Sequence, residues 1–354
     1  MTKGEPSRLL PSKPTLKTVA NETGYAVTTV SRALSGDPKI AEATRATISQ
    51  AARRLGYVPD RAAQRLRTGR TKVITLMVNP SHEYLGFTNV LLSGIVNSLR
   101  GTGYSVTIVP DFIEADRVAA IRNILRNNLA DGLIVSRTEC FDPRVRLLLE
   151  QDFPFVSHGR TEFTTQHAFV DFDNEAFARI AVERLIAAGR RRLMIVLPEA
   201  RFTFAQHLRF GFVSAVRQAG IDLVIPDEVT LDTQPEEIAR VLTRRLRTTD
   251  RPDGIVCVGE VMALAETAAV HDAGLLPGRD VDLVIKQASP VFDLMRPRYQ
   301  SVFEDVMETG LAIGDLLMRR IAGEPADTLQ RVIRPCEGEA LRPLGGDIER
   351  PARR

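Results

Sequence analysis

The stretch TLKTVANETGYAVTTVSRAL, residues 15–34, reads as two short helices joined by a tight turn. Leu16, Val19 and Ala20 fall on one helical face, Gly24 supplies the permissive backbone of the turn, and Val30, Ala33 and Leu34 face inward from the second helix. Between those inward positions the second helix shows Val27, Thr28, Thr29, Ser31 and Arg32 to solvent. Small side chains let a helix approach a duplex closely, and an arginine can reach guanine O6 and N7 or a phosphate. The competing reading of the same pattern is a helical hairpin that merely packs. A third amphipathic helix, 42–55, brings Ile48, Ala51, Ala52 and Leu55 to close a three-helix core.

Charge separates the chain at the same place. The first 72 residues hold 14 Lys+Arg against 5 Asp+Glu, and the remaining 282 hold 33 against 39. A basic unit attached to a mildly acidic body is the footprint of a polyanion-binding domain on a separate module. With 354 residues, 44% of them hydrophobic, the chain is long enough for two or three domains.

After the third helix comes GYVPDRAAQRLRTGRTKVITLMV, residues 56–78. TLKTVA…TGYAVTTVSRALSG followed by ISQAARRLGYVPDRAAQRLRTGRT resembles the headpiece and hinge of the lactose/galactose-repressor (LacI/GalR) family of bacterial transcription regulators. The resemblance implies an all-α helix-turn-helix headpiece at 15–59, a hinge helix and linker at 60–72, and a two-lobed α/β regulatory domain of the periplasmic-binding-protein-like type I kind at 73–343. Residues 1–14 and 344–354 are expected to be a disordered arm and tail. Family members usually carry Ser before the recognition helix and before the third helix, where this chain has Ala26 and Ala41. Loss of such a cap costs about 0.5–2 kcal/mol each, so a marginally stable headpiece is expected.

The hinge segment, 60–67, is too short to be helical alone in water. In the family it orders on operator DNA beside the hinge of a second subunit. The resemblance places Arg61, Ala63, Gln64 and Leu66 on the DNA, with Leu66 as the apolar wedge that unstacks a minor-groove step. Most relatives have Asn where this chain has Asp60, which sets a carboxylate near phosphates.

From Val73 onward the period changes. Apolar runs at 73–78, 104–109, 132–136, 153–157, 193–197, 254–258 and 281–285 alternate with helical stretches at 87–100, 115–129, 173–188, 205–219, 235–248 and 260–273. Continuously apolar strands separated by helices mean parallel sheets covered on both faces, and seven such units fit two sheets. The resemblance implies two Rossmann-like lobes, with the chain crossing near Asp171–Asn174 and again near Arg298–Asp305, and a ligand in the cleft between them. A last long helix, 304–322, precedes a strand-like LQRVIRP. The tail carries no leucine heptads, so a homodimer is expected rather than a coiled-coil tetramer.

At three positions where the family holds Arg, Asn and Asp for sugar hydroxyls, the chain departs. Leu208 with Arg209 beside it replaces the Arg, Gly259-Glu260 the Asn-Asp, and Gln287 after Lys286 the final Asp. Each has a plain alternative: Leu208 as helix core, Glu260 as a helix N-terminal acid, Lys286 as a solvated strand end. Ser136, Arg137 and Arg160 sit at strand ends facing the expected cleft, and Phe202 and Phe204 are either stacking groups or core. The effector candidates are therefore Ser136, Arg137, Arg160, Phe204, Arg209, Glu260, Lys286 and Gln287, for a sugar or sugar derivative.

Other classes lack their signatures. Cys140, Cys257 and Cys336 are widely spaced with no CxxC, the five His are scattered, and no HExxH, GxSxG, P-loop or GxGxxG is present. The expectation is no metal, no cofactor and no catalytic residue. No apolar run reaches membrane-spanning length and none of signal-peptide length begins the chain, so a cytoplasmic protein without membrane contact is expected. The expected partners are double-stranded operator DNA and a small-molecule effector, with control by a protein co-regulator as the alternative.

Overall fold

The structure, a computed structural model, describes residues 14–58, 65, 69–79, 86–111, 116–296 and 298–336. The chain divides into two compact units, Met1–Thr71 and Lys72–Arg354.

The first unit is helical. Helix α1 (Leu16–Thr23) starts on a reciprocal cap, in which the Thr15 and Thr18 side chains each accept the other's backbone N–H. Gly24, at φ +75°, ends it in the left-handed region, where a side chain would be strained. Helices α2 (Val27–Leu34) and α3 (Glu42–Arg54) follow from Ala26 and Ala41, neither of which offers a side-chain cap. Val19, Val30 and Ile48 are fully buried, one from each helix, with Ala20, Ala33 and Ala52 around them. Each large side chain contributes about 1.5–3 kcal/mol by leaving water, so three of them make a small core. An ion pair from Arg54 to Glu22 ties α3 to α1.

The second unit holds two parallel sheets. The first runs β11-β5-β4-β3-β1-β2, from β1 (Val73–Val78), β2 (Ser105–Pro110), β3 (Gly132–Ser136), β4 (Phe155–His158), β5 (Phe169–Phe172) and β11 (Gln330–Ile333). The second runs β10-β9-β8-β6-β7, from β6 (Arg192–Ile195), β7 (Asp222–Val224), β8 (Gly254–Cys257), β9 (Asp282–Gln287) and β10 (Gln300–Phe303). Apart from β11, the two lobes share one strand order, which reverses beside the first strand of each. In parallel sheets of this kind that reversal opens a crevice at the carboxyl ends.

Alternation along the strands sorts the cores. Ile74, Leu76 and Ile134 face helices α4 (Phe87–Ser98) and α11 (Val306–Ile321), while Met77, Leu133 and Val135 face α5 (Ala119–Arg126) and α6 (Pro143–Glu150). In the second lobe Leu193 and Ile195 pack with α7 (Asn174–Ala187) and α8 (Thr203–Gln218). Met194 and Val196 pack with α9 (Pro235–Leu246) and α10 (Glu260–Asp272). Helices α4 and α11 meet backbone to backbone, because a Cβ on Gly94 would lie 2.5 Å from the Met307 carbonyl oxygen and one on Gly310 would overlap the Leu91 carbonyl.

The chain crosses between lobes where β5 passes into α7 and where β10 passes into α11. It meets the seam a third time at Cys336, bridged antiparallel to Phe303. Among the described residues, β5, β7, β10, α6 and two short 3-10 helices, Pro290–Leu294 and Ala326–Thr328, lie outside the expected strands and helices. The three strands have three or four residues each, and each carries a polar residue, Asp171, Asp222 or Gln300, that shortens the apolar run.

Candidate functional site

Two surfaces could carry function. On the first unit, α2 exposes Val27, Thr28 and Arg32, whereas Thr29 and Ser31, both expected on the open face, are half-buried. Arg32 is not loose. Its Nε donates to Asp37 Oδ2 at 2.8 Å, and Asp37 Oδ1 accepts the Lys39 backbone N–H at 2.9 Å. The Arg32 hydrogen bond, followed by the one from Lys39, holds the Asp37 carboxyl below its ordinary pKa. Arg65 is exposed, and Arg61, Ala63, Gln64 and Leu66 lie outside the described residues.

The second surface is a cavity of about 270 Å³ in the second unit. Its walls are strand ends: Val78 and Asn79 at the end of β1, Ser136 and Arg137 at the end of β3, His158 at the end of β4, Gly259 and Glu260 after β8, Lys286 on β9 and Glu304 after β10. Phe87, Phe172, Phe204 and Met262 supply much of the apolar wall. Both sheets therefore contribute, as expected where two crevices face each other.

Every charged group here has a partner. Lys286 Nζ lies 2.9 Å from Glu304 and donates to Asn174 Oδ1 at 3.2 Å. Arg137, from the first lobe, is ion-paired with Asp232 of the second, and its guanidinium lies 4.5 Å above the Phe202 ring. Glu260 Oε1 accepts the backbone N–H groups of Ala288 and Ser289 at 3.1 and 2.7 Å, and the Ser289 hydroxyl lies within hydrogen-bond distance of both its oxygens. Asp171 accepts from Arg160 Nε at 2.6 Å. His158 stacks on Phe87 with ring centroids 5.9 Å apart. Burial lowers its pKa, outweighing the pull of Glu304 and Asp171, so the ring is neutral at pH 7 and can both donate and accept.

Behind the cavity, Arg144 is fully buried and holds the loop after β3. It pairs with Asp142 and Asp111, and its Nη2 donates to the carbonyls of Ser136 and Arg137 at 3.0 and 3.1 Å. Arg137 itself sits at φ +52°, a strained conformation for a residue with a Cβ. The same loop touches the other lobe, where Thr203 N–H donates to the Thr138 carbonyl at 3.0 Å and Glu139 bridges to Phe202.

The sequence pattern of bacterial regulatory proteins, lacI family, matches residues 15–60, and that of the periplasmic binding protein-like domain matches 182–339. The HTH-type transcriptional regulator AglR of Rhizobium meliloti (strain 1021) is 30% identical over 87% of this chain and 87% of its own. The chain belongs to the lacI family. The HTH-type transcriptional regulator CelR of Thermobifida fusca is 29% identical over 91% of this chain and 96% of its own. Among solved structures, the lac repressor dimer bound to operator and the anti-inducer ONPF superposes with a TM-score of 0.76 at 19% identity, covering 92% of this chain and 97% of that one. The chain is thus a DNA-binding transcriptional regulator of the lacI family, as its relatives are, and not an enzyme. Among the described residues no helix is long and apolar enough to cross a membrane, and no His, Cys, Asp and Glu cluster could hold a metal.

Within this lacI-family frame the effector candidates divide. Ser136, Arg137, Phe204, Glu260 and Lys286 line the cavity, and Arg160, Arg209 and Gln287 do not. Arg160 is drawn aside by Asp171. Arg209 lines a separate depression on α8 with Ile225 and Asp227. Gln287 is buried, its Nε2 donating to the Ser289 carbonyl at 2.7 Å. Leu208 is fully buried core, and so is Phe202. Asn79, His158, Asn174 and Glu304, which sequence reasoning did not single out, all line the cavity. Three of these follow or end a strand, so the rule that strand carboxyl ends bind ligands could have found them.

Proposed function

We propose that this regulator is a cytoplasmic, homodimeric repressor whose operator affinity is set by an uncharged carbohydrate in the cavity between the lobes. The observation that carries the reading is the pairing of the cavity's charges. A phosphate or carboxylate ligand would have to separate Lys286 from Glu304 or Arg137 from Asp232, whereas a hydroxylated, uncharged ligand can use the neutral His158, Asn174 and Asn79 and lie against Phe87, Phe172 and Phe204. Relatives support it: one solved neighbour is a CelR-cellobiose complex, and several relatives are named PurR repressors.

On DNA, Val27, Thr28 and Arg32 read base edges in the major groove, with Thr29 and Ser31 at the same face. Arg61, Ala63, Gln64 and Leu66 order at the operator centre, where Leu66 wedges into the minor groove. The effector acts by population shift: it favours one degree of lobe closure, and the hinges of the two subunits fold or separate accordingly.

The test is a thermal-shift series on the full chain with cellobiose and other neutral mono- and disaccharides, set against sugar phosphates and sugar acids. A native-state ligand at 100 times its Kd stabilises by about 2.7 kcal/mol. Stabilisation by a neutral sugar, with altered operator binding, is the expected result. A shift produced only by anionic ligands, or by none of the set, would overturn the reading.

A further inference from the structure

Arg32 is the one long donor on the exposed face of α2, and an arginine that reads guanine end-on presents its two terminal nitrogens as a fork to O6 and N7. A flexible side chain on a surface helix does not hold that orientation by itself, and ordering it costs rotamer entropy. The chain just beyond α2 supplies the missing constraint. Gly36, at φ +76°, lets its N–H reach the Ala33 carbonyl at 3.1 Å, and the next N–H, that of Asp37, reaches the Arg32 carbonyl at 3.1 Å. These two bonds are the paired closure of a helix end, and they fix residue 37 against the backbone of residue 32. The Asp37 side chain is fixed in turn, because Oδ1 accepts the Lys39 N–H at 2.9 Å across Pro38. Its free oxygen, Oδ2, meets Arg32 Nε at 2.8 Å.

We infer that Asp37 is a positioning residue for base recognition: by taking up Nε it holds the Arg32 guanidinium so that its terminal nitrogens are left for a guanine edge. The inference rests on the reading of Arg32 as a base contact and adds the residue that makes the contact selective. Two further observations favour it. The pair is open to solvent, with the Arg32 side chain 49% exposed and Asp37 26%, and exposed pairs contribute little to stability. Asp37 also places a negative charge beside the face that approaches a polyanion, which weakens binding to every sequence. A carboxylate there therefore raises the ratio of specific to non-specific binding while lowering the non-specific part.

The experiment is selection of binding sites by the full-length protein from a pool of random-sequence duplex, followed by titration of the selected and a scrambled duplex. It uses wild type, Arg32→Ala, Asp37→Ala, Asp37→Asn and the Arg32→Ala/Asp37→Ala double variant. Asparagine keeps the Oδ1 acceptor for Lys39 and sets an amide NH2 against Nε, so it breaks the pair without opening the turn. Arg32→Ala should erase preference at one position of each half-site. Both Asp37 variants should relax that same position about tenfold, bind the scrambled duplex as tightly as wild type or more so, and leave the other positions unchanged. The double variant should show no more loss at that position than Arg32→Ala alone. If Arg32→Ala relaxes the position and Asp37→Asn leaves it intact, the positioning role is wrong. If Arg32→Ala leaves every position intact, the base-reading assignment fails first, and the inference with it. Should Asp37→Ala fail to fold, Asp37→Asn decides alone.

Discussion

The two units solve opposite electrostatic problems. The first unit keeps a core of three large side chains and, among the described residues, leaves Lys17, Lys39, Arg53 and Arg54 exposed, with Arg32 exposed beside Asp37. The second buries three core clusters and engages the charges on its cavity wall, Lys286 with Glu304, Arg137 with Asp232, Asp171 with Arg160, and Glu260 with the Ala288 and Ser289 N–H groups. A surface that meets a polyanion gains from exposed cations, because each one releases counterions on contact. A cavity that takes an uncharged molecule, as proposed above, gains from paired ones, because an unpaired buried charge is costly and would recruit the wrong ligand.

The sharpest way to break this contrast is to unpair a charge in the second unit. Arg144→Met takes the nearest cation from Asp142 and Asp111, leaving them the longer contacts to Arg117 at 4.0 and 3.8 Å, and frees the carbonyls of Ser136 and Arg137. Breaking a buried pair from one side costs about 3–5 kcal/mol. Urea denaturation of the full chain should show that loss in the larger unit, with the headpiece transition unmoved. A loss under about 1 kcal/mol would mean that the network is not structural, since that is the scale of an exposed pair.

A second probe lies in the lobe-2 core, where Glu266 of α10 is fully buried beside the Cys257 thiol and burial pushes its pKa up to about 8. The fold favours the protonated acid. Its contribution is therefore fully present below the unfolded value near 4.5 and is lost as pH rises through about 8. Each unit of difference is worth about 1.4 kcal/mol, so the wild type should lose a few kcal/mol over that window. Glu266→Gln should flatten the decline and unfold later than wild type above pH 8. Parallel pH profiles for the two proteins would show that Glu266 does not titrate in the folded lobe.

The smallest effect belongs to the headpiece. Ala26→Ser and Ala41→Asp should each restore a cap to α2 or α3 and add about 0.5–2 kcal/mol to its unfolding free energy, leaving the larger unit unchanged. Calorimetry of the full chain, with the headpiece and the larger unit expected as separate transitions, reads both quantities at once. No gain from either variant would mean that other groups already satisfy those helix starts.

Legibility in the sequence follows the same contrast. In the headpiece the functional face is roughly the complement of the core face on one helix, so once Val30 and Ala33 are set inward, Thr28 and Arg32 on the far side face out, while Thr29 and Ser31 are half-buried. The lobes were readable as layers for a similar reason, since Ile74 and Leu133 sit in continuous apolar runs. The cavity was harder. Its walls come from the ends of many strands, and a residue one place along a strand end turns away, as Gln287 does beside Lys286. Arg209 was placed near the cleft by its neighbour in sequence, yet on a helix adjacent residues point about 100° apart, and it faces the outer depression. The Arg32–Asp37 contact needed a backbone closure at Gly36 that no periodicity announces.

The contact between α4 and α11 sets how a cavity event can travel. Phe87, Thr88 and Leu91 of α4 line the cavity, and α11 starts directly after the crossing at Glu304. With only glycine hydrogens between their backbones at Gly94 and Gly310, there is no layer of side chains to shear or repack. The two helices behave as a single beam with both its loads at one end. On the proposed reading of the cavity, a ligand that tilts the first turn of α4 swings the crossing segment with it through that close backbone contact.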